Sequence, residues 1–106
     1  MFQSTTRSDG EVAGVFEFDA DVGYFYLYDF SKVKGKQISS SIQIIVGVPD
    51  FAESDLRVSW NKVGDIVGLF IKNQLWAAFN VQGAKYGGEY SPTGSPTVPK
   101  ELLLGF

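Results

Sequence analysis

The stretch "GYFYLYDF", Gly23 to Phe30, packs five aromatic residues into eight positions. As an extended strand it sends Tyr24, Tyr26, Tyr28 and Phe30 to one face and Phe25 and Leu27 to the other, because side chains alternate along a strand. Aromatic residues on both faces require two covers. Phe25 and Leu27 face a core. The tyrosines face a second apolar surface, made by another part of the chain, by another subunit or by a ligand. A row of three tyrosines is demanding as pure core, because each buried hydroxyl needs a partner, and tyrosine is favoured where one end is dry and the other wet. Tyr24, Tyr26, Tyr28 and Phe30, with Trp76, are therefore the candidate binding residues.

On either side of this strand the chain reads as more β structure. "VAGVFEF", 12–18, precedes it across the turn residues of "DADVG", so the two strands should pair as a hairpin. "ISSSIQIIVGV", 38–48, alternates, with Ile38, Ile42, Ile44, Val46 and Val48 on one side and Ser39, Ser41 and Gln43 on the other. Pro49 ends it. "LRVSW", 56–60, "IVGLFI", 66–71, and "LWAAFNV", 75–81, form a three-stranded meander, with Lys72 and Asn73 placed for a two-residue turn. Leu75, Ala77, Phe79 and Val81 are expected on one face of the last strand, and Trp76, Ala78 and Asn80 on the other. "DFAESD", 50–55, has room for one helical turn.

Residues 1–11 read as a loose arm, 12–82 as a β core and 83–106 as a Gly/Pro-rich tail, all within one domain. The tail ends on "KELLLGF", where Pro99 can open a short helix. A flexible tail does not usually finish on Leu102, Leu103, Leu104 and Phe106, so these four are expected to dock. The Tyr stripe is one natural platform, since Pro-rich segments bind aromatic grooves. The expected fold is mainly β: an antiparallel six-strand meander closed into a small barrel or sandwich, with at most one or two helical turns. With the tyrosine stripe and the apolar "IVGLFI" strand, the tail's apolar end argues for a homodimer.

Composition removes most catalytic chemistry. The 106 residues contain no cysteine and no histidine. Disulfides, thiolate nucleophiles, thiolate or imidazole metal sites and the Ser-His-Asp triad are excluded with them. The net charge of −3 argues against nucleic acid, because phosphate contacts need a basic field. Lys32, Lys34 and Lys36 form the one basic cluster and read as a solvated loop. The polar start "MFQSTTRSDG" has no signal-peptide pattern, and no apolar run reaches the ~20 residues of a membrane helix. The expectation is a cytoplasmic protein without cofactors.

Carboxylates offer two weak alternatives. Glu17, Asp19 and Asp21 suggest part of a calcium loop, but the glycine and glutamate spacing of such a loop is missing, and a hairpin turn accounts for them better. Glu17 and Asp29, on neighbouring strands, are the one pair that could act as a glycosidase-like acid and base. "GGEYSPTGSP" lacks the Lys-Ser or Lys-Thr and the helix of a phosphate loop.

"VFEFDADVGYFYLYD" and "VSWNKVGDIVGLFIKNQLWAAFNV" together resemble a small bacterial family of uncharacterised proteins, domain of unknown function 2251. Val15, Phe16 and Glu17 match the first three residues of its Val-Phe-Glu-Asp start. Gly23, Tyr24, Phe25 and Tyr26 match its aromatic strand, and Trp60, Ile71, Ala77 and Phe79 match its later hairpin. The family's Asn-Gly turn corresponds to Lys72-Asn73, its His to Trp76 and its Asp to Asn80, so a catalytic His or Asp in the family would be missing here. The resemblance implies a compact β-rich domain and brings no activity with it. Three functions stay open. The first is a non-enzymatic binding or interaction module, such as an accessory or immunity-type partner of another bacterial protein. The second is a small-molecule binder with an aromatic-walled pocket. The third is a carboxylate-dependent hydrolase built on Glu17, Asp19, Asp21 and Asp29.

Overall fold

The computed structural model describes residues 1–106. Eight strands form two antiparallel four-stranded sheets. The first is β1 (Phe2–Thr6), β2 (Val12–Asp19), β3 (Val22–Asp29) and β4 (Ile38–Val46); the second is β5 (Leu56–Trp60), β6 (Ile66–Ile71), β7 (Gln74–Asn80) and β8 (Lys85–Gly87). Within each sheet the spatial order follows the chain. Two 3-10 turns, Glu53–Asp55 and Lys100–Gly105, complete the secondary structure.

The expected six-strand meander is thus two sheets, and no barrel closes. The break falls at 47–55, where Gly47 takes φ 97° and Pro49 cannot donate to a ladder. The chain leaves the first sheet there and starts the second. Residues 2–6, read from sequence as part of an arm, form an edge strand. Their inward side chains, Gln3 and Thr5, are polar and half-buried, so β1 carries no apolar signature.

The sheets pack face to face around one core. Phe16, Phe25 and Leu27 enter it from the first sheet, and Val67, Leu69, Ile71 and Phe79 from the second. Phe25 and Phe79 stack across the middle with centroids 5.0 Å apart. Hydrogen bonds stitch both sides. The Thr5 hydroxyl donates to the Val58 carbonyl and the Trp60 indole donates back to the Thr5 carbonyl. On the far side the Tyr90 N–H donates to the Ile44 carbonyl, and the Ser40 hydroxyl donates to the Gly83 carbonyl. The β6–β7 turn has both Lys72 (φ 51°) and Asn73 (φ 68°) in the left-handed region, the type I′ geometry that two-residue hairpins favour.

Three ladder irregularities shift which residues face inward. In β4, Tyr28 pairs with Ile38 while Leu27 pairs with Ser40, leaving Ser39 over. A second slip leaves Ile44 over, between Gln43 and Ile45. Each extra residue flips the alternation. Ile42, Ile44 and Ile45 stay buried, but Ile38 and Val46 turn out to solvent, 53% and 58% exposed. In β7 the slip falls on Trp76. Trp76 joins the core, and Leu75 turns to the outer face over Gly68. The expected sharing of one face by Leu75, Ala77 and Phe79 fails at that bulge.

The Gly/Pro-rich tail is part of the fold. Tyr90 is buried, edge-on to Trp76 at 4.9 Å and to Phe51 at 5.1 Å. Its hydroxyl donates to Asp50 Oδ1 at 2.8 Å. Beyond it the chain runs over the outer face of the second sheet. Val98 sits against Gly87, and Phe106 lies over Gly68 and 5.2 Å from Phe70. The Lys62 N–H donates to the Gly105 carbonyl and fixes the end. This explains why "IVGLFI" is apolar on both sides, since one face meets the core and the other meets the tail.

Burial and the Asp50 carboxylate push the Tyr90 phenol up to about 12. An unfolded tyrosine ionises near 10, so the folded state resists ionisation. That contribution is complete below pH 10 and is lost as pH rises from 10 to about 12. Thermal unfolding of the intact protein should therefore weaken more steeply across that window than unfolding of Tyr90→Phe. Parallel curves would contradict the assignment.

Candidate functional site

The outer face of the first sheet is open, whereas the tail covers the outer face of the second. On β3 it presents Val22, Tyr24, Tyr26 and Tyr28, all half-buried, while Phe25 and Leu27 point into the core. Register fixes their neighbours. Glu17, Val15 and Ala13 of β2 lie beside Tyr24, Tyr26 and Tyr28. Gln43, Ser41 and Ile38 of β4 lie on the other flank. Beyond β2, Phe2, Ser4 and Thr6 complete the face from β1.

The side chains are unequal in height, and this shapes a groove of about 380 Å³. Small residues of β1 and β2 (Ser4, Thr6, Ala13 and Val15) form its floor. Phe2, Tyr26, Tyr28, Phe30 and Ile38 stand around them, and Glu17 contributes a carboxylate. The aromatics are paired in advance. Tyr24 and Tyr26 stack at 5.9 Å and 17°, and Tyr28 leans on Phe30 at 5.0 Å and 60°. Tyr28 donates to Gln37 Oε1 at 2.6 Å, and Tyr24 makes a long bond of 3.4 Å to Gln43 Oε1. Partial burial, then Glu17 and Tyr24, raise the Tyr26 phenol above its ordinary value, and no hydrogen bond offsets them. Tyr26 at neutral pH is thus a neutral hydroxyl donor in the middle of an apolar face.

The structure brings Tyr24, Tyr26, Tyr28 and Phe30 together and places Trp76 elsewhere. Trp76 is a core residue of the other sheet, with its indole N–H buried and unpartnered. Phe2, Val15, Ile38 and Val46 also belong to the exposed face, and of these only Val15 follows from alternation in the sequence. Val15 lies opposite Phe16 by alternation and was within reach. Ile38 and Val46 reach the face through bulges that no periodicity marks. Of the tail residues, Phe106 packs on the second sheet and Leu102 is half-buried, whereas Leu103 and Leu104 are exposed. The tail does not cross the tyrosine stripe of its own chain.

The carboxylates singled out from the sequence are not brought together. Glu17 pairs with Tyr24 and Asp29 with Val12, so they stand five positions apart along the hairpin, on the order of 17 Å. That is too far for either glycosidase geometry. Asp29 accepts from the Ser31 N–H and hydroxyl, and those bonds hold its carboxyl below the usual range. No group of three or more carboxylates is positioned to hold a metal ion, Glu17, Asp19 and Asp21 included. No helix is long and apolar enough to cross a membrane.

Comparison with known proteins gives the family and nothing finer. A family model described as an uncharacterised protein conserved in bacteria (DUF2251) matches residues 1–100, and the chain belongs to that family. Neither a curated protein nor a solved structure matches it.

Proposed function

We propose that this member of the DUF2251 family is a non-catalytic protein-binding module whose recognition surface is the outer face of the β1–β4 sheet. One observation carries the reading: the chain seals one of its two apolar sheet faces with its own tail and leaves the other open. On the open face Phe2 and Phe30 are 52% and 47% exposed and line the groove with Ile38, while Val46 extends the face at the β2–β3 turn end. Single exposed apolar residues are ordinary on protein surfaces, but a contiguous patch of this kind marks an interaction site. Tyrosines supply large, rigid area with a polar tip, which suits a surface that is wet when free and dry when bound.

A photoreactive phenylalanine analogue at position 26, in intact bacterial cells, tests the reading. Irradiation should give discrete protein adducts from position 26 and none from Val63, an exposed control in the β5–β6 turn. Absence of discrete adducts at 26, or the same adducts from both positions, would overturn it. A second reading rests on the groove itself. Its volume of about 380 Å³ falls within the ~300–1,000 Å³ of small-molecule sites, and the free Tyr26 hydroxyl supplies a polar contact. A flat apolar ligand of modest size would fit it.

A further inference from the structure

The open face has charge of opposite sign at its two ends, and this selects an occupant. At the β2–β3 turn stand Glu17, Asp19 and Asp21, all exposed, with Glu53 nearby accepting from the Phe2 N–H. The Met1 amine lies beside them, bonded to the Phe18 carbonyl. At the other end the β3–β4 loop carries Lys32, Lys34 and Lys36, all exposed. This loop curls onto the tyrosine side, since Gly35 and Gln37 line a hollow together with Tyr28 and Ile38. Arg7 at that end is held by Asp9, and Glu11 and Asp29 temper the lysines without cancelling them. The face is acidic at one end, apolar and aromatic in the middle, and basic at the other end.

We infer that the occupant is a second copy of this chain, stacked face to face with its β3 antiparallel to the first about a two-fold axis that lies in the interface and crosses the strands near Tyr26. The inference rests on the reading of this face as a recognition surface. A two-fold contact joins the same patch on both subunits. An axis along the strands would set lysines against lysines and carboxylates against carboxylates. An axis across the strands sets each lysine loop against the partner's β2–β3 turn, twice over, and lays tyrosine stripe on tyrosine stripe. Complementary potentials of this kind fix orientation more than they add affinity. Four strands at ~4.8 Å spacing and about eight residues at ~3.3 Å give a face of roughly 500 Å² in projection. Standard stable interfaces use about 800 Å² per partner, so the dimer should be weak and concentration-dependent.

Sedimentation equilibrium over a concentration series tests this on the full chain. The intact protein should move from monomer to dimer as concentration rises to millimolar, and added salt should weaken the dimer. Lys34→Glu alone and Asp19→Lys alone should each weaken dimerisation on the order of tenfold, since each replaces two attractive cross-pairs by two repulsive ones. The double variant K34E/D19K should restore it. Both sites are exposed, so circular dichroism should report an unchanged fold for all three variants. A monomer at every concentration overturns the inference. A dimer that the double variant fails to restore overturns the antiparallel geometry. Adducts from position 26 with a mass other than twice the chain would leave the binding reading standing without the homodimer.

Discussion

Phe25→Ala should come close to unfolding the protein, while Tyr26→Ala, one position along the same strand, should barely disturb it. Phe25 is fully buried and stacks on Phe79 across the two sheets. Truncation of a buried phenylalanine costs about 3–5 kcal/mol, the lost transfer energy plus the cavity left behind. A domain of this size has only about 5–15 kcal/mol in total. At about 4–8 °C per kcal/mol, the melting temperature should fall by roughly 12–40 °C. Tyr26 is half-buried on the outer face, and its hydroxyl holds no partner in the chain. Its truncation removes part of a surface stack with Tyr24, so the cost should stay near 1 kcal/mol or less. Denaturant midpoints of the two variants read the difference directly. Equal losses would mean that the two faces of β3 are not divided into core and surface as described.

The second large effect belongs to the tail. A chain ending at Gly83 should lose cooperative unfolding. It would lack β8, the Tyr90 ring packed on Trp76 and Phe51, and the Phe106 contact over Gly68. Tyr90 alone is worth about 1.5–3 kcal/mol by burial, and its loss opens the core at Trp76. Phe70, Leu75 and Ala78, now buried, would become an exposed apolar face. Near-ultraviolet circular dichroism during urea titration separates the outcomes, since the truncated chain should show a broad or absent transition. Phe106→Ala in the full chain should keep a sharp transition at a modestly lower midpoint. A truncated chain with the full chain's midpoint would contradict the structural role of residues 84–106.

Much of this was written in local alternation. Phe25 and Leu27 point inward as their spacing requires, and "KN" makes the turn its position and asparagine favour. What alternation could not supply were the places where it slips. The bulges at Ser39 and Ile44 move Ile38 and Val46 to the open face, and the bulge at Trp76 moves an indole from the expected binding surface into the core. β1 was hidden for a different reason. Its inward Thr5 is satisfied by bonds to β5, so its burial is polar and leaves no hydrophobic pattern. Tyr90 was hidden because it enters the core from irregular backbone, where no period applies. The tail's apolar end signalled docking, but only the folded chain shows which of the two sheets receives it.

The two sheets thus divide the labour: the second is closed by its own chain, and the outer face of the first is left open. The measurement that tests it most directly is a dilution series of proton–nitrogen correlation spectra on the intact protein. Shifts that change with concentration should map to β1, β2, β3 and β4 and to the β3–β4 loop, centred on Tyr26, with β5–β8 and the tail silent. Changes centred on the β6–β7 hairpin or on residues 98–106, with the tyrosine strand silent, would contradict it.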